Sequence, residues 1–193
     1  MTLYLASTSP RRRVILKKAG FKFRCLNPPY HEKAIPHLSP SALVKLHALE
    51  KAKSVAHRVK KGLMIGADTI VYFKGEVIGK PKDKKDAFQI LNRLQGRQHT
   101  VYTGVALLWV REKKIIRRKV FHETTKVWIK AMNRKEIARY FRKINPLDKA
   151  GAYAIQSSAF NIADHAEGFL SNAAGLPAER LEKYLKLNRI VYR

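Results

Sequence analysis
The chain is short of cysteine, of acidic residues and of long apolar runs, and each shortage narrows what it can be. Cys25 is the single cysteine among 193 residues, so no internal disulfide forms and a disulfide-stapled scaffold is excluded. The seven histidines are scattered, with no HExxH pair, and no Cys/His cluster has zinc-ligand spacing. The longest apolar run, Val105–Val110, is far below the roughly 20 residues that span a bilayer. No basic segment followed by an apolar core marks a secretory leader, so a soluble cytoplasmic protein is expected. Neither a repeat period nor a low-complexity tract nor a linker stands out, and one domain over residues 1–193 is expected. Acids are the strongest deficit: 14 Asp and Glu stand against 40 Lys and Arg, a net charge of +26. Such a field attracts anions of any kind, and by itself it names no reaction.

Apolar residues make up 46% of the chain, enough for a packed core. Leu3–Ala6 reads as a buried strand. Ser9 stands at an N-cap position with Pro10 behind it, and Gly20 supplies a stop. Phe21–Leu26 reads as extended. Ser39 and Pro40 open a second helix towards Arg58, with Val44, Ala48, Ala52 and Val55 on its apolar stripe. Leu63–Phe73 reads as a strand, turned by Lys74-Gly75 into Val77-Ile78. A helix follows over Asp83–Leu94, ending at Gly96. Thr100–Val110 and Ile115–Ile129 read as a long hairpin, with Trp109 and Trp128 in its arms as core or interface residues. Asn133 and Glu136 form a capping box for a helix ending near Lys143. Beyond Pro146 the chain turns Gly/Ala-rich with short strands, and a last helix follows Leu176-Pro177. Hairpins interrupt the alternation of strands and helices, so a mixed rather than a purely parallel sheet is expected.

Several segments hold residues out of keeping with plain folding. In "LASTSPRRRVIL" a strand ends in Ser7-Thr8-Ser9 and feeds a helix whose first turn carries Arg11 and Arg12. Cations are unfavourable there against the helix dipole, so either they form a solvated face or an anion shares the space. In "IGADTIV" Asp68 interrupts a run built for burial and requires a partner: an ion pair, a metal or a turn. Lys80, in "GKP", stands within reach of Asp68 or of a phosphate. "GEVIGKP" is no P-loop: its glycine spacing is short and Pro81 replaces the magnesium-holding hydroxyl. Lys51 borders the apolar stripe of the second helix, where such a lysine ordinarily snorkels to solvent. Glu32 sits in a loop suited to a metal-ligating carboxylate. In "DKAGAYAIQ" Gly151 suggests close backbone approach, and Gln156 carries the donor and acceptor that read a base edge. "SNAAGLPAERL" reads as helix initiation that touches none of these candidates. His99 and His122 fall in strands and read as structural.

Taken in order, "LASTSPRRRVIL", Glu32, "EKAKS", "IGADTIV", "IGKP", "LQGRQHTVYTGVAL", "DKAGAYAIQ" and "NAAGLP" resemble the Maf family of nucleoside triphosphate pyrophosphatases across nearly the whole chain. The resemblance implies an α/β fold with an elongated mixed β-sheet, flanking helices and two lobes around a cleft, like that of inosine triphosphate pyrophosphatases. It implies metal-dependent hydrolysis, with Mg²⁺ or Mn²⁺, between the α and β phosphates of a nucleoside triphosphate. The family is associated with clearing irregular or excess nucleotides and, in bacteria, with inhibition of septum formation; its members often form homodimers. Arg11, Thr69 and Gln156 match the specificity positions of the subgroup acting on dTTP and UTP, and Asp68 matches the proposed proton acceptor. By the same resemblance Ser7, Ser9, Arg11, Arg12, Lys51 and Lys80 would surround the triphosphate, and Asp68 with Glu32 would hold the metal. The charge of +26 is no family trait. It leaves two other readings open: a basic nucleic-acid-binding module on the same scaffold, or a purine-preferring house-cleaning enzyme.

Overall fold
The structure is a computed structural model and describes residues 1–33, 35–155 and 161–188. In chain order the elements are β1 (Leu3–Ala6), α1 (Pro10–Lys18), β2 (Phe23–Leu26), α2 (Pro40–Ala56), β3 (Lys61–Phe73) and β4 (Glu76–Ile78). They continue with α3 (Lys84–Leu94), β5 (Gln98–Arg111), β6 (Lys114–Ile129), α4 (Arg134–Phe141), β7 (Ala163–Glu167), α5 (Leu170–Ala173) and α6 (Ala178–Leu187). One seven-stranded sheet runs β2-β1-β3-β5-β6-β7, with β4 added to β3. β1 lies parallel to β2 and β3, and every other pairing is antiparallel. This is the expected mixed sheet.

Local grammar set most of the helix starts. Ser39 caps α2 through the Ala42 N–H, Asp83 caps α3, and Asn133 with Glu136 closes the capping box of α4. The hairpin is longer than expected, and Glu112 and Lys113 alone form its turn, both with positive φ. That handedness matches the twist of paired strands, and it overrides the absence of glycine. Two elements of the Gly/Ala-rich region, β7 and α5, have no sequence signature of their own; pairing with β6 and burial of Asn172 create them.

The alternation of side chains along the long strands divides the core. On one face Leu63, Ile65 and Ala67 of β3 join Val105, Leu107 and Phe121 under α1 and α6. Further along the same face Val71 and Phe73 join Val101, Val127 and Ile129 under α3 and α4. Between these two apolar cores runs a polar belt, Thr69, Thr103 and Thr125. Thr69 and Thr103 hydroxyls meet at 3.0 Å, Thr103 donates to the Asn172 carbonyl at 2.9 Å, and the Asn172 amide donates to the Thr125 hydroxyl at 3.0 Å. On the other face α2 packs over Met64, Ala106 and Leu108. There Gly66 and Gly104 let the helix backbone lie almost on the sheet: a Cβ on Gly66 would stand 2.1 Å from the Ala48 carbonyl oxygen, and one on Gly104 2.2 Å from that of Val44.

Candidate functional site
The site lies at a gap in the sheet. One edge of β3 is paired to β1 through Leu63–Gly66 and to β4 through Val71–Phe73, whereas the opposite edge is paired continuously to β5. Residues 67–70 therefore have no strand beside them on the first edge, a space of roughly 13 Å. The chain leaving β1 turns away here as Ser7–Arg12, and the chain leaving β4 approaches it as Gly79-Lys80. Ligands of open α/β sheets favour such breaks in strand order, beyond a strand's carboxyl end.

Asp68 and Thr69 lie inside the gap and, by strand alternation, point to opposite faces. Asp68 is only 4% exposed and faces α2. Lys51 stands on the inner side of α2, one turn from Ala48, and is 7% exposed. Pressed down by the two glycine contacts, the helix brings its ammonium to 2.6 Å from Asp68 Oδ1 and into a second ion pair with Glu32 from the preceding loop. The ordinary snorkelling of a helix-border lysine is thus replaced by burial between two carboxylates. Burial pushes the Glu32 carboxyl up, and Lys51, with Lys80 and Arg12 beyond it, overcomes that and holds it down at about 2. The Lys80 side chain itself is exposed.

On the other face Arg12 is buried and makes three bonds beside the gap. Its Nε donates to the Gly175 carbonyl at 2.8 Å, one terminal nitrogen to Ser7 Oγ at 3.3 Å, and the other to Thr69 Oγ1 at 3.1 Å. Burial lowers the pKa of Arg12, and the carboxylates of Asp68 and Glu32 work to raise it. "SNAAGLP" is therefore more than helix initiation: its glycine carbonyl fixes Arg12, and its asparagine anchors the polar belt. No local signal marks this, because the bond spans 163 residues of chain.

Ser9 stands at the N-cap of α1, but its side chain makes no capping bond; its backbone N–H donates instead to Ser7 Oγ at 3.1 Å. The Ser9 hydroxyl is thus not committed to the helix. Arg11 donates to the Asp148 carbonyl at 3.0 Å, and burial lowers its pKa. Ser9, Arg11, Arg12, Thr69, Tyr153 and Gly175 line a cavity of 30 Å³. It meets a groove of 1390 Å³ at Arg11 and Tyr153, and the groove runs past Val14, Ala174 and Ile155. Gln156 lies outside the described residues. No local sequence signal marks Tyr153 as a site residue; its hydroxyl is 2.7 Å from His99 Nε2, and both side chains are buried. The structural reading of His99 agrees with this.

The geometry thus gathers Ser7, Ser9, Arg11, Arg12, Glu32, Lys51, Asp68, Thr69 and Lys80 around one gap. Among the described residues no three His, Cys, Asp or Glu side chains form a metal cage. Asp68 and Glu32 together offer two carboxylates, a set that fits Mg²⁺ when substrate phosphates and water complete its shell. No helix among the described residues is long and apolar enough to cross a membrane.

Fold and site together define a mixed α/β protein with a pocket lined by arginines and hydroxyls at a break in its sheet. The fold is similar to that of the Staphylococcus aureus Ham1 protein, with a TM-score of 0.50 at 15% identity, over 97% of this chain and all of that one. Residues 2–188 match the family described as Maf-like protein. The sequence is 43% identical over 184 residues to a dTTP/UTP pyrophosphatase of Pelotomaculum thermopropionicum, covering 95% of each chain. It is 41% identical over 186 residues to a dTTP/UTP pyrophosphatase of Carboxydothermus hydrogenoformans, covering 96% of this chain and 98% of that one. The chain belongs to the Maf family.

Proposed function
We propose that this chain hydrolyses dTTP and UTP to the nucleoside monophosphate and pyrophosphate. The names of its relatives support the substrate. The observation that carries the chemistry is a buried Asp68, ionically tied through Lys51 to Glu32, beside a helix N-terminus whose Ser9 hydroxyl is uncommitted.

Water adds across the α–β anhydride. Its oxygen bonds to the α-phosphorus, the bridging oxygen leaves with pyrophosphate, and Asp68 takes the water's proton. Phosphoryl transfer asks the protein chiefly for positioning and charge stabilisation. Ser7, Ser9, Arg11, Arg12 and Lys80 supply these around the phosphate chain, and Lys51 holds the Asp68 carboxylate in place. Asp68 and Glu32 would hold Mg²⁺ or Mn²⁺, which when bound polarises the phosphoryl group and neutralises charge. Arg11, Thr69 and Gln156 would set the choice of base, with the groove beside Arg11 and Tyr153 receiving the nucleoside.

The test is pyrophosphate release from a panel of nucleoside triphosphates, with either metal, beside Asp68→Asn. Turnover of dTTP and UTP, reduced about 10²- to 10⁴-fold in the variant, is the expected result. Turnover near wild type in the variant removes Asp68 from the mechanism. Preference for purines overturns the substrate assignment and keeps the reaction.

A further inference from the structure
Far from the gap, the sheet ends in a row of cations. Lys61 of β3 is registered against Arg111 of β5, and Arg111 against Lys114 of β6. Residues directly opposite in antiparallel strands share a face with Cβ atoms about 5 Å apart, and like charges so placed repel. The same face adds Arg117, opposite Trp109, and Lys119, opposite Leu107. All five cations are exposed, and none makes an ion pair among the described residues. Glu112 in the turn is the sole acid from residue 111 to residue 119.

Protection of a sheet edge does not account for the row. β6 is unpaired on its outer side from residue 114 to residue 125, because β7 joins it only at Lys126, and lysines there would guard against strand addition. Arg111, however, lies on β5, flanked by β3 and β6, where there is no edge to guard. A lipid surface is a poor fit too. It calls for an apolar face beside the cations, but Leu108 and Val110 on the reverse face are buried against α2, leaving only Ile115 and Ile116 exposed. Single-stranded nucleic acid is bound by stacking bases on free aromatic rings, and the Trp109 ring is covered by the Arg117 guanidinium, 4.8 Å from its centroid. What remains is a dense, regular polyanion.

We propose that the Lys61–Arg111–Lys114 row, with Arg117 and Lys119, docks the phosphate backbone of double-stranded nucleic acid without reading its sequence. The surface is independent of the nucleotide site. Lys61 and Asp68 share a strand, and roughly 23 Å of β3 separates them.

The experiment is binding of a random duplex DNA of about 20 base pairs between about 50 and 200 mM salt. The proteins compared are the wild type and two triple variants of equal charge loss. One, Lys61→Gln/Arg111→Gln/Lys114→Gln, empties the row. The other, Lys84→Gln/Lys85→Gln/Lys135→Gln, removes exposed cations from the first turns of α3 and α4. Thermal unfolding at no lower temperature than wild type checks both folds. The row variant is expected to lose about tenfold or more in affinity at low salt and about 2 to 3 from the slope of log affinity against log salt, since each phosphate contact contributes about 0.9. The second variant should change far less. Equal losses in the two variants would reduce the effect to net charge and overturn the docking surface. Absence of duplex binding by the wild type overturns it as well, as does capture by phosphatidylserine vesicles that duplex DNA fails to compete away.

Discussion

β3 passes through two concentrations of Lys and Arg, and they are built in opposite ways. At the gap around Asp68 the cations are drawn inward: Arg12 and Lys51 are buried, and serine and threonine hydroxyls, a carbonyl and two carboxylates take up their donors. At the strand's far end Lys61, Arg111 and Lys114 face one another in water, and none of them makes an ion pair among the described residues. A buried charge is tolerable only with partners. An exposed charge needs none, since water and salt screen it. The same residue types therefore hold the structure together in one region and strain it slightly in the other.

Removing a cation should accordingly have opposite signs in the two places. Lys51→Met leaves Asp68 buried without its counter-ion, and breaking a buried pair in this way costs about 3 kcal/mol or more. Urea unfolding of the variant should show that loss, and a change within about 0.5 kcal/mol would mean that Asp68 finds another partner. A third arrangement gives an intermediate effect. His99 is buried beside Tyr153 with no counter-charge, and burial holds its pKa down at about 4. Between pH 6.5 and about 4 the unfolded chain takes up a proton there and the folded chain does not. Stability from this group is therefore complete above pH 6.5 and falls as the pH drops towards 4, by on the order of 2 to 3 kcal/mol. His99→Gln, which does not titrate, should flatten that part of the pH profile of unfolding; an unchanged profile would assign the acid sensitivity to other groups. The smallest effect belongs to the exposed row. Lys61→Gln should raise stability by a few tenths of a kcal/mol at low salt, and the gain should vanish near 1 M salt. A loss of stability on the same substitution would show that Lys61 has a partner and would erase the contrast.

Much of this architecture is legible in the chain. The caps at Ser39 and Asn133, the helix from about Asp83 and the long hairpin follow from local rules, and all are present. Asp68 could be singled out because a carboxylate in an apolar strand demands a partner. Arg11 and Arg12 stood out because cations sit badly in a helix's first turn. Their partners were not readable. Lys51 looked like a snorkelling residue, and nothing near it in sequence says that Gly66 and Gly104 let α2 press against the sheet. Asn172 and Gly175 looked like the start of a helix, although one spans the polar belt and the other holds Arg12.

The sequence by itself determined the mixed sheet, the strand and helix boundaries up to Pro146 to within a few residues, and the list of groups that needed an explanation. Those follow from periodicity, capping and charge, which act between near neighbours. Only the tertiary structure decided which groups meet. The gap in β3 exists because β1 ends at Ala6 and the pairing with β4 reaches no further than Val71, and the Lys51 contact exists because two glycines have no Cβ. Such contacts depend on the packing of distant segments, and no window of the chain contains them.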